Sequence, residues 1–183
     1  MEVFRRILRY AKGIGHGKGY GIQSPFAYTL VRDVLVNPYI YYKYVELDRE
    51  HPFLTRQERT IAHLLFRLAN RLQAPNVFIS PALPDHFAHS IQAGANHSRI
   101  NAGQGKCEWA ILPPNTNEVS SYLQTATDGN TLVVTDIYNA GRPTSAWQQI
   151  LTSGAPVTTF DLYHLGIVFI DSHRLRADCI INI

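Results

Sequence analysis

Residues 76–88 read NVFISPALPDHFA. An apolar run at 77–79 enters a turn, and the turn leads into a segment of helical character, so we expect strand 76–80 followed by helix 84–93. That order opens many nucleotide-binding α/β sheets. In those, glycines in the turn let a phosphate or cofactor reach free backbone N–H groups. Here the turn holds Ser80, Pro81 and Pro84 and no glycine. Each proline removes a donor and fixes φ.

Downstream the alternation continues. A polar loop at 96–106 precedes strand 107–112, helix 117–126, strand 131–136 and helix 143–153, which Gly154 closes. Three apolar segments follow, at 156–162, 165–171 and 177–183. They lie too close together for helical crossovers, so we expect an antiparallel C-terminal edge on a mostly parallel α/β sheet.

Upstream the pattern is helical. Thr55-x-x-Glu58 is a capping box opening helix 56–72, with Ile61, Leu64, Leu65, Leu68 and Leu72 on one face. Ser24-Pro25 starts another helix with core face Phe26, Leu30, Val31, Val34 and Leu35, and Asn37-Pro38 ends it. Residues 2–11 place Val3, Phe4, Ile7, Leu8 and Ala11 at helical spacing. The expected organisation is a helical arm with packing helices at 1–74 and an α/β core at 75–183, together one compact domain.

Composition narrows the class. With 183 residues, 45% hydrophobic and 17% charged, the chain reads as globular. No apolar run approaches the ~18 residues of a membrane span, and the N-terminus lacks the pattern of a secretory signal. The two cysteines, Cys107 and Cys179, offer neither a disulfide framework nor CxxC spacing. They read as reduced core thiols of a cytoplasmic protein.

Charge is uneven. Residues 1–32 carry Arg5, Arg6, Arg9, Lys12, Lys18 and Arg32 against Glu2 alone, a net +5, while the rest of the chain is −2. Such an arm is suited to an anion, a nucleic acid or an acidic partner, or is simply a solvated helix face. Glycines at 13, 15, 17, 19 and 21 resemble a phosphate loop, but neither the GxGxxG nor the Walker pattern fits. Tyrosines 39, 41, 42 and 44 either stack on bases or line an interface or core edge.

Chemistry-bearing residues are sparse. Asp136 ends an otherwise apolar strand, and Tyr138 follows it, where open α/β sheets bind ligands. No acid lies between Asp85 and Glu108 to hold a ribose. His86 and His89, with Asp85 beside them and His97 further on, are too few for an unambiguous metal site, and none is expected. No GxSxG or SxxK nucleophile motif occurs.

Four stretches together resemble a known group: GKGYGIQSPFAYTLVRDVL (17–35), RTIAHLLFRLAN (59–70), VVTDIYNAGRPTSAW (133–147) and VTTFDLYHLGIVFI (157–170). They are similar, in the same order, to Bacteroidetes class I S-adenosylmethionine-dependent methyltransferases. The resemblance implies a Rossmann-like, class I methyltransferase-like α/β fold with S-adenosylmethionine at the first strand's loop. The departures fall on that loop. The family's motif resembles ELGTSLGIST. Phe78 takes the place of its acid, and Ser80 and Pro84 take the places of two glycines. Thr135-Asp136 replaces an Asp-Asp pair, Pro113 and Pro114 replace an Asp, and the middle of the chain is shortened.

The sequence therefore supports three readings. The first is a methyltransferase-like domain that has lost cofactor and catalysis and serves as a binding or structural subunit, with a protein partner or a second copy. The second is an active methyltransferase with an altered site, in which the degenerate loop of Phe78, Ser80, Pro84 and Asp85 is made good by replacement donors from Asp136, Tyr138 and the basic arm. The third is a nucleic-acid binder working through the basic arm.

Overall fold

The computed structural model describes residues 2–16, 19–101, 107–155, 157–173 and 176–182. Among them are helices α1 (Glu2–Lys12), α2 (Pro25–Leu30), α3 (Tyr42–Glu50), α4 (Arg56–Leu72), α5 (His86–Gly94), α6 (Thr116–Thr125) and α7 (Ser145–Thr152). The strands are β1 (Asn76–Ile79), β2 (Arg99–Ile100), β3 (Trp109–Leu112), β4 (Thr131–Thr135), β5 (Tyr138–Asn139), β6 (Arg142–Pro143), β7 (Val157–Asp161), β8 (Leu165–Ile170) and β9 (Ala177–Ile180).

Local chemistry sets the helix starts. Thr55 and Glu58 form the reciprocal box at the head of α4, the Glu58 N–H donating to Thr55 Oγ1 and the Thr55 N–H to the Glu58 carboxylate. Ser24 caps α2, with Pro25 at its first position, and the helix runs on through a π-helical turn at Val31–Leu35. Arg67 from α4 satisfies the end of that turn, donating from Nε to the Val34 carbonyl (2.6 Å) and from Nη2 to the Leu35 carbonyl (3.3 Å).

The main sheet has seven strands in the order β2-β1-β3-β4-β8-β7-β9, and β5–β6 form a separate small ribbon. β2, β1, β3 and β4 are mutually parallel, β8 is antiparallel to β4 and β7, and β9 is parallel to β7. The expected antiparallel C-terminal edge is therefore corrected. The reversed strand lies inside the sheet, and the edge strand β9 is parallel to its neighbour. The reason is legible in β8 itself: LGIVFI has no polar alternation, is buried along nearly its whole length and suits an interior position. β9 is only partly buried, as an edge strand is.

A second correction concerns the loop at 96–106. Residues 99–100 pair with β1 as a short parallel strand, so a second strand position is kept, and residues 102–106 lie outside the described residues.

The core lies on both faces of the sheet. Val77, Ile79, Ile111, Val133 and Ile167 point to one face and pack with α2, α4 and α5. Their neighbours Ala110, Leu112, Leu132, Val134 and Val168 point to the other, against α6 and α7. This is the period-2 alternation of a sheet covered on both sides. The first cluster joins Leu30, Leu65 and Leu68 to the sheet residues, so the hydrophobic core runs unbroken across position 75.

Helix α1 differs from expectation. Val3, Phe4, Ile7 and Leu8 are 49–70% exposed. The helix is held by polar bonds instead, chiefly from Arg9 to Asp161 and from Asn182 to the Tyr10 carbonyl. Among the described residues no helix is long and apolar enough to cross a membrane.

Candidate functional site

The order β2-β1-β3-β4 places a topological switch point between β1 and β3, the position where open α/β sheets bind ligands at the strands' carboxyl ends. The loops there carry Pro81 and Pro84 after β1, and Pro113 and Pro114 after β3. All four lack a donor. The Ser80 N–H is used internally, donating to the Ile111 carbonyl (3.0 Å) and extending the β1–β3 ladder. Ser80 itself is buried, and the Leu83 side chain folds onto the core. Phe78 packs on the opposite face of the sheet, towards α6 and α7. Pro84 and Asp85 are exposed, and Asp85 makes no side-chain cap to α5.

Asp136 stands at the carboxyl end of β4 in the left-handed region (φ 46°), where Asp and Asn are favoured over most other non-glycine residues. Its N–H donates to the His164 carbonyl (2.7 Å), so its backbone makes the strand's exit. Tyr138 lies two residues on, in the ribbon β5–β6. Asn139 and Arg142 flank Ala140 (φ 48°) and Gly141 (φ 71°), the left-handed pair of a tight hairpin.

Tyr138 meets a network that sequence reasoning missed. Tyr138 donates its hydroxyl to Asp161 Oδ2 (2.6 Å), and its ring stacks on Tyr163 at 5.0 Å. Arg9 donates to Asp161 Oδ1 from Nε (3.0 Å) and from Nη2 (2.6 Å), and also to the Asp161 carbonyl (2.7 Å). The Tyr163 N–H closes the set on Oδ1 (2.9 Å). The arginine and aspartate side chains are only 11% and 8% exposed. Burial, reinforced by the Asp161 carboxylate, holds the Tyr138 hydroxyl protonated, well above the ordinary tyrosine value. The signal was available: Asp161, like Asp136, ends a strand that is otherwise apolar or threonine.

Beside this network lies a cavity of about 760 Å³. Its walls are α1 (Val3, Ile7, Tyr10), the first half of α4 (Ile61, Leu64) and the β7–β8 turn at 162–165. The lining is mainly apolar, with Arg6 and Arg56 as its cationic groups beside Arg9, which Asp161 already occupies. Arg6 sits over the Tyr163 ring at 4.9 Å. His164 also lines it: burial lowers its proton affinity, against the pull of Asp136, and Arg6 and Arg9 lower it further.

The structure thus separates the expected sites. Neither Asp136 nor Tyr138 lines the cavity, but each touches a residue that does, Asp136 through its N–H to the His164 carbonyl and Tyr138 through its stack on Tyr163; Phe78, Ser80, Pro84 and Asp85 do not line it either. In the basic arm, Arg6 and Lys12 are exposed, Arg5 is half-buried, Arg9 is paired, and Lys18 lies outside the described residues. The tyrosines split: Tyr39 and Tyr42 are exposed, while Tyr41 and Tyr44 pack against Phe66. Neither cysteine forms a disulfide, and burial pushes both thiols up, away from nucleophilic reactivity. His86 and His89 are joined by His51 and Glu50 from α3 and its end, a partnership with a separation of 38 residues that no local motif announces.

Compared with known proteins, the chain matches no protein-family model and no curated protein.

Proposed function

We propose that the chain is a methyltransferase-like α/β domain that has given up S-adenosylmethionine binding and works as a binding module, with the cavity between α1, α4 and the β7–β8 turn as its binding site. The observation that carries this reading is the switch point. Where a cofactor would need bare backbone donors, four prolines and an internally bonded Ser80 stand instead. The parallel strands around β1 support descent from a cofactor-binding ancestor, and a fold carries ancestry rather than activity.

The cavity suits a ligand with an apolar body and an anionic group, because apolar walls meet the exposed guanidinium of Arg6. The apolar residues that α1 leaves exposed, with Tyr39, Ile40 and Tyr42 elsewhere, favour a protein partner or a second copy as what covers them.

Calorimetric titration with S-adenosylmethionine and S-adenosylhomocysteine tests the loss of the cofactor. No saturable heat is expected at about millimolar ligand, a free energy near −4 kcal/mol. Micromolar binding abolished by Asp136→Ala would restore the enzyme reading. A fluorescent long-chain carboxylate probes the cavity. Its binding is expected to weaken with Ile61→Glu and with Arg6→Glu.

A further inference from the structure

Helix α3 ends at Glu50, and His51 follows as its C-terminal cap, its N–H donating to the Leu47 carbonyl (3.0 Å). Across the seam, α5 presents His89. His51 Nε2 and His89 Nδ1 face each other at 2.7 Å. A carboxylate oxygen of Glu50 completes a triangle in which all ligand atoms lie within 4.8 Å of one another. One turn earlier on α5, His86 is 6% exposed, its ring is 5.9 Å from that of His51, and its Nε2 is buried without a hydrogen-bond partner among the described residues.

We propose that Glu50, His51 and His89 form a binding site for a divalent transition-metal ion of the zinc class, with the fourth position open to solvent. Two imidazoles and a carboxylate match the donor set of three-ligand zinc sites that keep one position for water. Two ring nitrogens aimed at each other at 2.7 Å require that at least one ring be neutral, with one proton between them. A metal ion replaces that proton with a bond to each nitrogen. With Zn–N near 2.0–2.1 Å, tetrahedral ligands sit about 3.3 Å apart. The rings then need to part by about 0.6 Å, within reach of a small side-chain rotation. Glu50 and His89 are exposed and His51 half-buried, so an ion can enter from solvent. Imidazole and carboxylate donors favour zinc or copper over magnesium or calcium. The bound ion would tie α3, which carries Tyr42 and Tyr44, to α5.

The test uses the full chain, freed of any affinity tag and dialysed against a chelator. Cobalt(II) is titrated with visible absorption as the readout, and zinc is used to displace it. Saturable one-to-one binding in the micromolar range is expected, with a tetrahedral or five-coordinate spectrum and a melting temperature that rises with zinc. His51→Gln and His89→Gln should each weaken binding by more than the roughly 10–100-fold typical of losing an outer-shell partner. Glu50→Gln should weaken it less, and His97→Gln should leave it unchanged. All four substitutions lie at exposed or half-buried positions, and circular dichroism checks the fold. Absence of saturable binding at about millimolar ion would overturn the proposal. So would a His51→Gln, His89→Gln double variant that binds like the parent.

Discussion

Arg9 and Asp161 stand 152 positions apart and are joined by three hydrogen bonds, two to the carboxylate and one to the carbonyl. Both side chains are nearly buried, so removing one leaves the other desolvated and short of partners. Arg9→Met is therefore expected to lower stability by about 3 kcal/mol, the cost of breaking a buried pair from one side. Urea denaturation would read this as a lower midpoint. The double variant Arg9→Met, Asp161→Leu should lose less than the two single changes added together.

Arg67 is a second polar anchor. It donates to the Val34 and Leu35 carbonyls and to the Tyr44 hydroxyl (2.9 Å), so it closes the π-helical turn and fixes α3 at once. Arg67→Met leaves those acceptors without a donor and is expected to cost about 2 kcal/mol. Arg67→Lys cannot reach three acceptors in a fork and should recover only part of the loss in the same urea experiment.

Two glycines are fixed by close approach. A Cβ at Gly94 would lie 2.3 Å from the Phe66 carbonyl oxygen where α4 and α5 touch, and one at Gly166 would lie 2.4 Å from the Trp147 ring. Neither neighbour is a flexible side-chain end. Gly94→Ala and Gly166→Ala are each expected to destabilise by about 1–3 kcal/mol through overpacking. Gly129 has φ 88° and nothing within 4 Å of its Cβ position, so Gly129→Ala reports backbone strain alone, about 1 kcal/mol. Thermal melts of the three variants separate the two effects.

Burial lowers the proton affinity of His63, His86 and His164 below the ordinary value of 6.5. The unfolded chain consequently binds more protons than the folded one as pH falls through 6.5, and stability drops in that direction. It is fully present above 6.5 and lost progressively below, down to the folded-state values. A lower urea midpoint at acidic pH than at neutral pH is expected. His86→Phe should reduce that difference, since burial is the largest cause there. An unchanged pH profile would show that His86 carries no part of it.

The elements of the fold were legible because their signals are local. The Thr55–Glu58 box and the Ser24–Pro25 cap act within one helical turn, and both helices start where those residues place them. The position of β8 was harder. Chain proximity favoured a terminal hairpin at the edge, whereas the absence of polar alternation in LGIVFI pointed inside. Helix α1 misled because its periodicity is real but its apolar side is not the side that packs. The sites were less legible for a related reason: Arg9 finds Asp161, and His51 finds His89, only once the sheet has brought distant segments together. Asp136 and Asp161 carried the same local signal, a carboxylate closing a buried strand, and only the tertiary partners distinguish them.

The interior position of β8 bears on how the chain folds as it is made. β4 completes its pairing only when residues 165–170 have left the ribosome, and α1 has no anchor until Asp161 and Asn182 follow. Until those residues follow, α1 lacks its polar anchor, and its apolar residues, exposed even in the folded chain, are open to a holding chaperone.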